Sequence, residues 1–477
     1  MTFPDELQRA FAAFESGRPD EAEQLCRRLL DAPQPPGEVF FLLGLLANHS
    51  GRHAESLRSL ERAAQTMPPS VRLWSALGGA CRAVGDLPRA GEYFTRCLQL
   101  DPHCLAAILQ LGDVCYDLHK MELAAPLFRR ATEQDPHSLP AWTKLANSLR
   151  NLGELDAALA AYARALALAP NDPVLHANRG RTLLAAGRLA EGFREFQFRW
   201  EPLGLRHYPQ PVWDGVPLPG KTLFVFAEQG LGDTLQFFRF LRLARQRVGR
   251  LVFECQPPLQ SLLQASAIAD HLLAAGETPP PFDAYVPLLH LPAIFQTTLE
   301  TIPAAAPYLT SPVRMALPAA PAGNLRVGLA WAGNPAMRDD AIRSLPLESL
   351  APVLTVPGVS FFSLQWKIPA RDQASFRASP LVNLMETVHD FTDTAALVEH
   401  LDLVISADTA VAHLAGALGR PVWTLLPASP DWRWLLHRAD TPWYPTMRLF
   451  RQPRLGAWPP VATAIAAELR QLAGRSA

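Results

Sequence analysis

LDLVISADTAVAHLAGALGRPVWTLLP, residues Leu401–Pro427, reads as strand, polar turn, helix and strand. Leu401–Ser406 is a short apolar, β-rich run of the kind buried in a parallel sheet. Ala407, Asp408 and Thr409 supply capping residues; Val411, Leu414, Ala415 and Leu418 follow at helical spacing; Gly419 closes the helix before Pro421. Val422–Leu426 is the next strand. A helix opening at the carboxyl end of a parallel strand presents free backbone N–H groups and the positive end of its dipole, which attract anions, phosphates above all. Asp408 and Thr409 stand at that opening. At about 100° per residue His413 lies nearly opposite Val411 and beside Thr409, so it is expected off the core face. On spacing alone these residues fit a helix cap and an exposed histidine as well as they fit a ligand site.

The composition around this stretch narrows the class. The chain has 477 residues, 49% hydrophobic and 19% charged, which is globular and long enough for about two to four domains. Formal net charge is −1 and no long basic run occurs, which argues against nucleic acid as the main partner. The start, MTFPDELQRAF, lacks a basic segment followed by an apolar one, and no uncharged apolar stretch is long enough to span a bilayer. The six cysteines form neither a CxxC pair nor a Cys/His cluster with metal spacing. Reduced structural thiols in a cytoplasmic protein are therefore expected.

The first two hundred residues repeat. Gly44, Gly78 and Gly112 are 34 apart (78 − 44), and Ala146 and Gly180 continue the series. Gly17, Gly51, Gly85, Gly153 and Gly187 keep the same period, with His119 in the one gap. Leu60, Phe94, Phe128, Tyr162 and Phe196 form a third series, and Pro68, Pro102, Pro136 and Pro170 a fourth. Small residues let two helices cross closely, the turn glycine joins them, and the proline ends the second helix. The pattern resembles the tetratricopeptide repeat. About six units are expected over 3–205 as an α-solenoid whose concave face recruits a protein or carrier-linked acceptor; the alternative is an array that only dimerises or stiffens.

A proline-rich linker, 206–221, ends the helical period. Thr222–Ala227 then reads as a strand, followed by Gly230-Leu231-Gly232-Asp233 and an amphipathic helix to about Val248. The reading is a doubly wound α/β half over 222–316, a hinge at Ala316–Asn324, and a second half over 325–477 opening with strand Leu325–Trp331. Two such halves place a cleft at the carboxyl ends of their strands.

Gly230 and Gly232 let the backbone approach a ligand, and Asp233 is presented at the helix start. Alone this also fits a helix cap after a tight turn. No GxSxG, HExxH or DxD occurs, so metal-free chemistry is expected, with Arg338 or Arg343 available to carry phosphate charge; either arginine fits a solvated loop charge as well.

The motifs GLGDTLQF (Gly230–Phe237), GLAWAGNP (Gly328–Pro335), RSLPLESL (Arg343–Leu350), SADTAVAHLAGALGRPVW (Ser406–Trp423), PDWRW (Pro430–Trp434) and WYPTMRLFRQ (Trp443–Gln452) carry a second resemblance. Residues 222–470 resemble the GT-B glycosyltransferases of the bacterial lipopolysaccharide heptosyltransferase family, in the variant fused behind tetratricopeptide repeats. The resemblance implies a two-lobed, twin Rossmann-like fold and a metal-independent, inverting transfer from a nucleotide sugar, hexosyl or heptosyl, with no other cofactor. It casts Asp233 as general base and Asp408, Thr409 and His413 as donor ligands. Where those enzymes place a lysine after the second half's first strand, this chain offers Asn334, Arg338 and Arg343, and strand Ser360–Gln365 ends in polar Gln365. The alternative is a non-catalytic repeat scaffold with a retained nucleotide-sugar-binding unit. Trp432, Trp434, Trp443 and Tyr444 form an aromatic cluster that fits either stacking on a base or sugar or closing the core, and closing the core is the expectation.

Overall fold

The computed structural model describes residues 3–337 and 340–476. The chain divides into two compact units, Met1–Leu175 and His176–Ala477. The first is a run of helical hairpins, from Phe3–Glu15 with Pro19–Leu29 to Leu139–Leu152 with Leu155–Leu168. Each hairpin turns on a left-handed residue: Gly17, Gly51, Gly85 and Gly153 have φ between 72° and 85°, and His119, which fills the gap in the series, reaches φ 56°. The crossing points are as tight as the periodicity implies. A Cβ on Gly78 would meet Phe94 Cε1 at 2.8 Å, and one on Gly112 would meet Phe128 Cε1 at 2.5 Å. All six cysteines are free thiols, five of them buried.

The second unit holds two all-parallel sheets. The first contains β1 (Leu218–Phe226), β2 (Val248–Cys255), β3 (His271–Ala274) and β4 (Ala284–Pro287) in the order β3-β2-β1-β4. The second contains β5 (Leu325–Ala330), β6 (Val359–Ser363), β7 (Val382–Asn383), β8 (Leu403–Ala407), β9 (Val422–Leu426) and β10 (Met447–Arg451) in the order β10-β9-β8-β5-β6-β7. Counted from β5, that is the 3-2-1-4-5-6 order of a nucleotide-binding doubly wound sheet, with chain direction reversing between β5 and β8. Leu329 pairs with Ser363 on one side and Ile405 on the other. β8 and β9 are buried along their whole length, as strands covered on both faces must be.

Two boundaries differ from the sequence reading. The proline-rich stretch is packed rather than loose: Tyr208 sits against Phe224, Phe282 and Tyr285, Trp213 N–H donates to Tyr285 O at 2.8 Å, and Leu218 already pairs with Val248. The last helical hairpin, Pro173–Ala185 with Leu189–Phe196, was expected in the solenoid, yet the second unit takes in everything from His176. Leu184, Leu189, Phe193 and Phe196 join the same buried cluster as Phe237, Trp432 and Trp443. Phe193 meets all three of those rings edge-on at 5.6–6.4 Å. At the end of the hairpin Arg199 forms a fully buried ion pair with Glu228, and Glu228 also accepts from Leu289 N–H at 3.1 Å. Side-chain identity, not repeat register, decides where these helices pack.

Candidate active site

Asp233 lies in the first turn of the Leu231–Phe237 helix, which follows β1 through Gln229 and Gly230. Gln229 takes φ 64°, a conformation that non-glycine residues rarely adopt and that clusters at functional loops. Asp233 Oδ2 accepts from Gly230 N–H at 2.8 Å, fixing the carboxylate at the helix start. Its Oδ1 accepts from the Arg433 guanidinium, which arrives from a loop two hundred residues later.

Arg433 joins the two sheets' loops. Its other nitrogens donate to Asp431 Oδ1 and Gln236 Oε1, each at 2.7 Å, and its charge lies 4.5 Å above the Trp432 ring. Burial works against the cation, but the Asp431 and Asp233 carboxylates outweigh it and hold the guanidinium protonated. Leu435, just beyond, has φ 53°, so both loops that carry the ion pair contain a left-handed non-glycine residue.

On the other side, Thr409 caps the Ala410–Ala417 helix, its hydroxyl accepting from Val411 N–H at 3.3 Å. This helix follows β8, at the point where strand order reverses. Asp408 Oδ2 accepts from Trp434 Nε1 at 2.8 Å. Burial, with the Asp431 charge adding to it, pushes the Asp408 carboxyl up to about 6, against the Trp434 hydrogen bond that holds it down. His413 was expected off the core and is instead buried, because the wheel argument assumed solvent where a second layer packs. Its ring stacks on Trp434 at 5.3 Å, Nδ1 bonds the Tyr444 hydroxyl at 2.9 Å, and Nε2 is 4.0 Å from Asp408. Burial, then the Arg433 and Arg239 charges, drives its pKa well below 6.5, so the imidazole is neutral.

Gly232 brings these parts together. A Cβ there would lie 2.7 Å from His413 Cδ2 and 3.6 Å from Ala410 Cα, so the Asp233 helix packs directly on the His413 helix. Beneath them Arg239 donates to Trp443 O at 2.6 Å and Tyr308 Oη at 2.9 Å, and lies 4.7 Å over the Tyr444 ring. The four aromatics of the 432–444 cluster are buried, and Trp434 and Tyr444 serve the site by bonding Asp408 and His413.

The remaining expected donor ligands divide. Arg343 is part-exposed, pairs with Asp340 at 3.3 Å, and its charge reaches Asp408. Asn334 is exposed, and its Oδ1 accepts from Ala336 N–H at 3.1 Å. Gln365 is buried, and both of its polar atoms bond backbone: Oε1 accepts from Trp331 and Ala332 N–H, while Nε2 donates to Ala332 O and Lys367 O. It shapes a loop and presents nothing to a ligand. Arg338 lies outside the described residues. Arg433, Asp431 and Gln236 were not singled out in the sequence reading, although Gln236 lies in GLGDTLQF and the other two in PDWRW, where an arginine flanked by two tryptophans has reason to be held over a ring. Among the described residues no group of three or more His, Cys, Asp or Glu side chains is placed to hold a metal ion, and no helix is long and apolar enough to cross a membrane.

Residues 7–72, 82–149 and 116–177 match tetratricopeptide repeat families. Residues 375–454 match glycosyltransferase family 9 (heptosyltransferase), a span that holds Asp408, His413 and Arg433 but not Asp233. Protein FlbA of Caulobacter vibrioides is 30% identical over 328 residues, covering 62% of this chain and 54% of FlbA, so the chain spans about half the length of that curated relative. Among solved structures, MamA MSR-1 C2 is 25% identical over 35% of this chain and 95% of its own, with a TM-score of 0.32. A crystal structure of MamA protein is 20% identical over 36% and 98%, with a TM-score of 0.33. The chain thus carries tetratricopeptide repeats and a glycosyltransferase family 9 segment.

Proposed function

We propose that the His176–Ala477 unit is a GT-B transferase that moves a sugar from a nucleotide-sugar donor to a protein or glycan acceptor recruited by the repeat array. The reaction is inverting and needs no metal. The observation that carries this reading is the convergence of Asp233, from the first sheet, with Asp408, Thr409 and His413 at the reversal point of the second, through Arg433 and the Gly232–His413 contact. The nucleotide order of that sheet supports a donor diphosphate at the Thr409 helix start and Arg343, where backbone N–H groups and a guanidinium meet leaving-group charge. Asp408, largely protonated below about pH 6 and held by Trp434, faces sugar hydroxyls as donor or acceptor. Asp233 takes the acceptor hydroxyl proton as that oxygen attacks the anomeric carbon and the carbon–phosphate-oxygen bond breaks. Location in the cytoplasm follows from the donor's availability there.

One observation favours the second reading, a nucleotide-sugar-binding scaffold. Both Asp233 oxygens are engaged, one by the Arg433 guanidinium and one by Gly230 N–H, so neither faces an acceptor hydroxyl unopposed. In the transferase reading Arg433 turns to the donor's phosphates and frees the base. Asp233→Asn discriminates: donor binding retained with transfer abolished supports the base, whereas unchanged transfer rejects it.

A further inference from the structure

Most of the tryptophans are buried or half-buried; Trp366 is 57% exposed. It stands three residues past the end of β6, at the carboxyl edge of the second sheet. Met337, 56% exposed, stands on the neighbouring loop after β5. Two large apolar side chains are thus left in water at one edge of one sheet, where burial of either would be favourable.

The loop that carries Trp366 is not slack. Gln365 fastens it to the β5 loop through three bonds to Trp331 and Ala332 at 2.9–3.0 Å, and a fourth, to Lys367 O at 3.2 Å, braces the loop internally. Asp372 adds a second fastening, accepting from Trp331 Nε1 at 2.9 Å and Leu347 N–H at 3.1 Å. The backbone beneath this exposed indole is thus already ordered, which lowers the cost of binding to it.

In a sheet of this order the phosphates of a nucleotide lie at the reversal point, here between β5 and β8, and the nucleoside extends toward the carboxyl end of the second strand, here β6. Sheets that read the ribose there use a carboxylate. This chain has Gln365, buried and committed to backbone, followed by Trp366 in the open. Resting on the donor-site reading above, we infer that Trp366 is the platform on which the base of the nucleotide sugar stacks. Stacking uses a π-face that every base has, so the site accepts uridine, adenosine and guanosine diphosphates with affinities closer to one another than hydrogen-bond readout would give.

The test titrates the full chain with UDP, ADP, GDP and inorganic pyrophosphate, using calorimetry and tryptophan fluorescence. The wild type is expected to bind all four, with fluorescence quenched by the nucleotides and not by pyrophosphate. Trp366→Ala weakens the three nucleotides by about tenfold to a hundredfold and leaves pyrophosphate unchanged; Trp366→Phe stays within about threefold while losing the quench. Equal nucleotide affinity in wild type and Trp366→Ala overturns the platform and spares the donor site, as does a loss that pyrophosphate shares. Failure of all four to bind the wild type overturns both.

Discussion

Asp408→Asn isolates a single buried proton. In the folded chain burial and the Asp431 charge raise the carboxyl from 3.8 to about 6. Between these values the folded state keeps a proton that the unfolded state has lost, so this group's stabilisation is full below about pH 4 and declines as pH rises to about 6. At about 1.4 kcal/mol for each tenfold change in proton affinity, the decline amounts to about 3 kcal/mol. His413 acts with the opposite sign: its folded value lies below 6.5, so its contribution grows with pH over part of the same range. Burial, Arg433 and Arg239 set that value, and all three persist in the variant. Subtracting the two proteins therefore cancels the histidine. Urea unfolding of wild type and Asp408→Asn, followed by tryptophan fluorescence at half-unit steps from about pH 4 to about 7.5, gives the difference curve. It is expected to swing by about 3 kcal/mol toward the variant and level off above about pH 6.5. A flat difference, or one that swings toward the wild type, would refute the buried, proton-holding Asp408.

Gly232→Ala forces a methyl group into His413 and should cost about 1–3 kcal/mol in urea unfolding while abolishing transfer; Gly79→Ala, which meets nothing within 4 Å on its own helix, should instead gain about 0.5–1 kcal/mol. Glu228→Gln leaves the Arg199 cation buried without its counter-charge and should cost about 3 kcal/mol or more in the same assay. The double substitution Arg199→Met with Glu228→Met should recover most of that loss; no recovery would show that the two side chains act separately.

The repeat array was legible because each of its contacts recurs: one crossing of a small residue with a large apolar one, read five times over, cannot be mistaken for chance. The strands of the second sheet were legible because burial on both faces leaves a bare apolar run, and Val422–Leu426 is found where it was read. Asp233, Asp408 and Thr409 were legible as helix-start residues after parallel strands. Arg433 was not, since its tie to Asp233 spans two hundred positions and obeys no period. His413 was placed on the wrong side of solvent because one helix wheel cannot register a neighbour arriving from Gly232. Gln365 looked like a ligand because a polar residue at a strand end does; only its four backbone bonds reveal it as a fastener.

The hairpin ending at Phe196 makes the chain's visible seam a false one. A cut at the prolines would bare Trp432, Phe237 and Trp443 to water, and would strand Glu228 five residues from Asp233 with no cation beside it. That hairpin repeats like the solenoid in sequence and packs as a wall of the sheet unit, so a truncation that removes it removes part of the sheet unit's core.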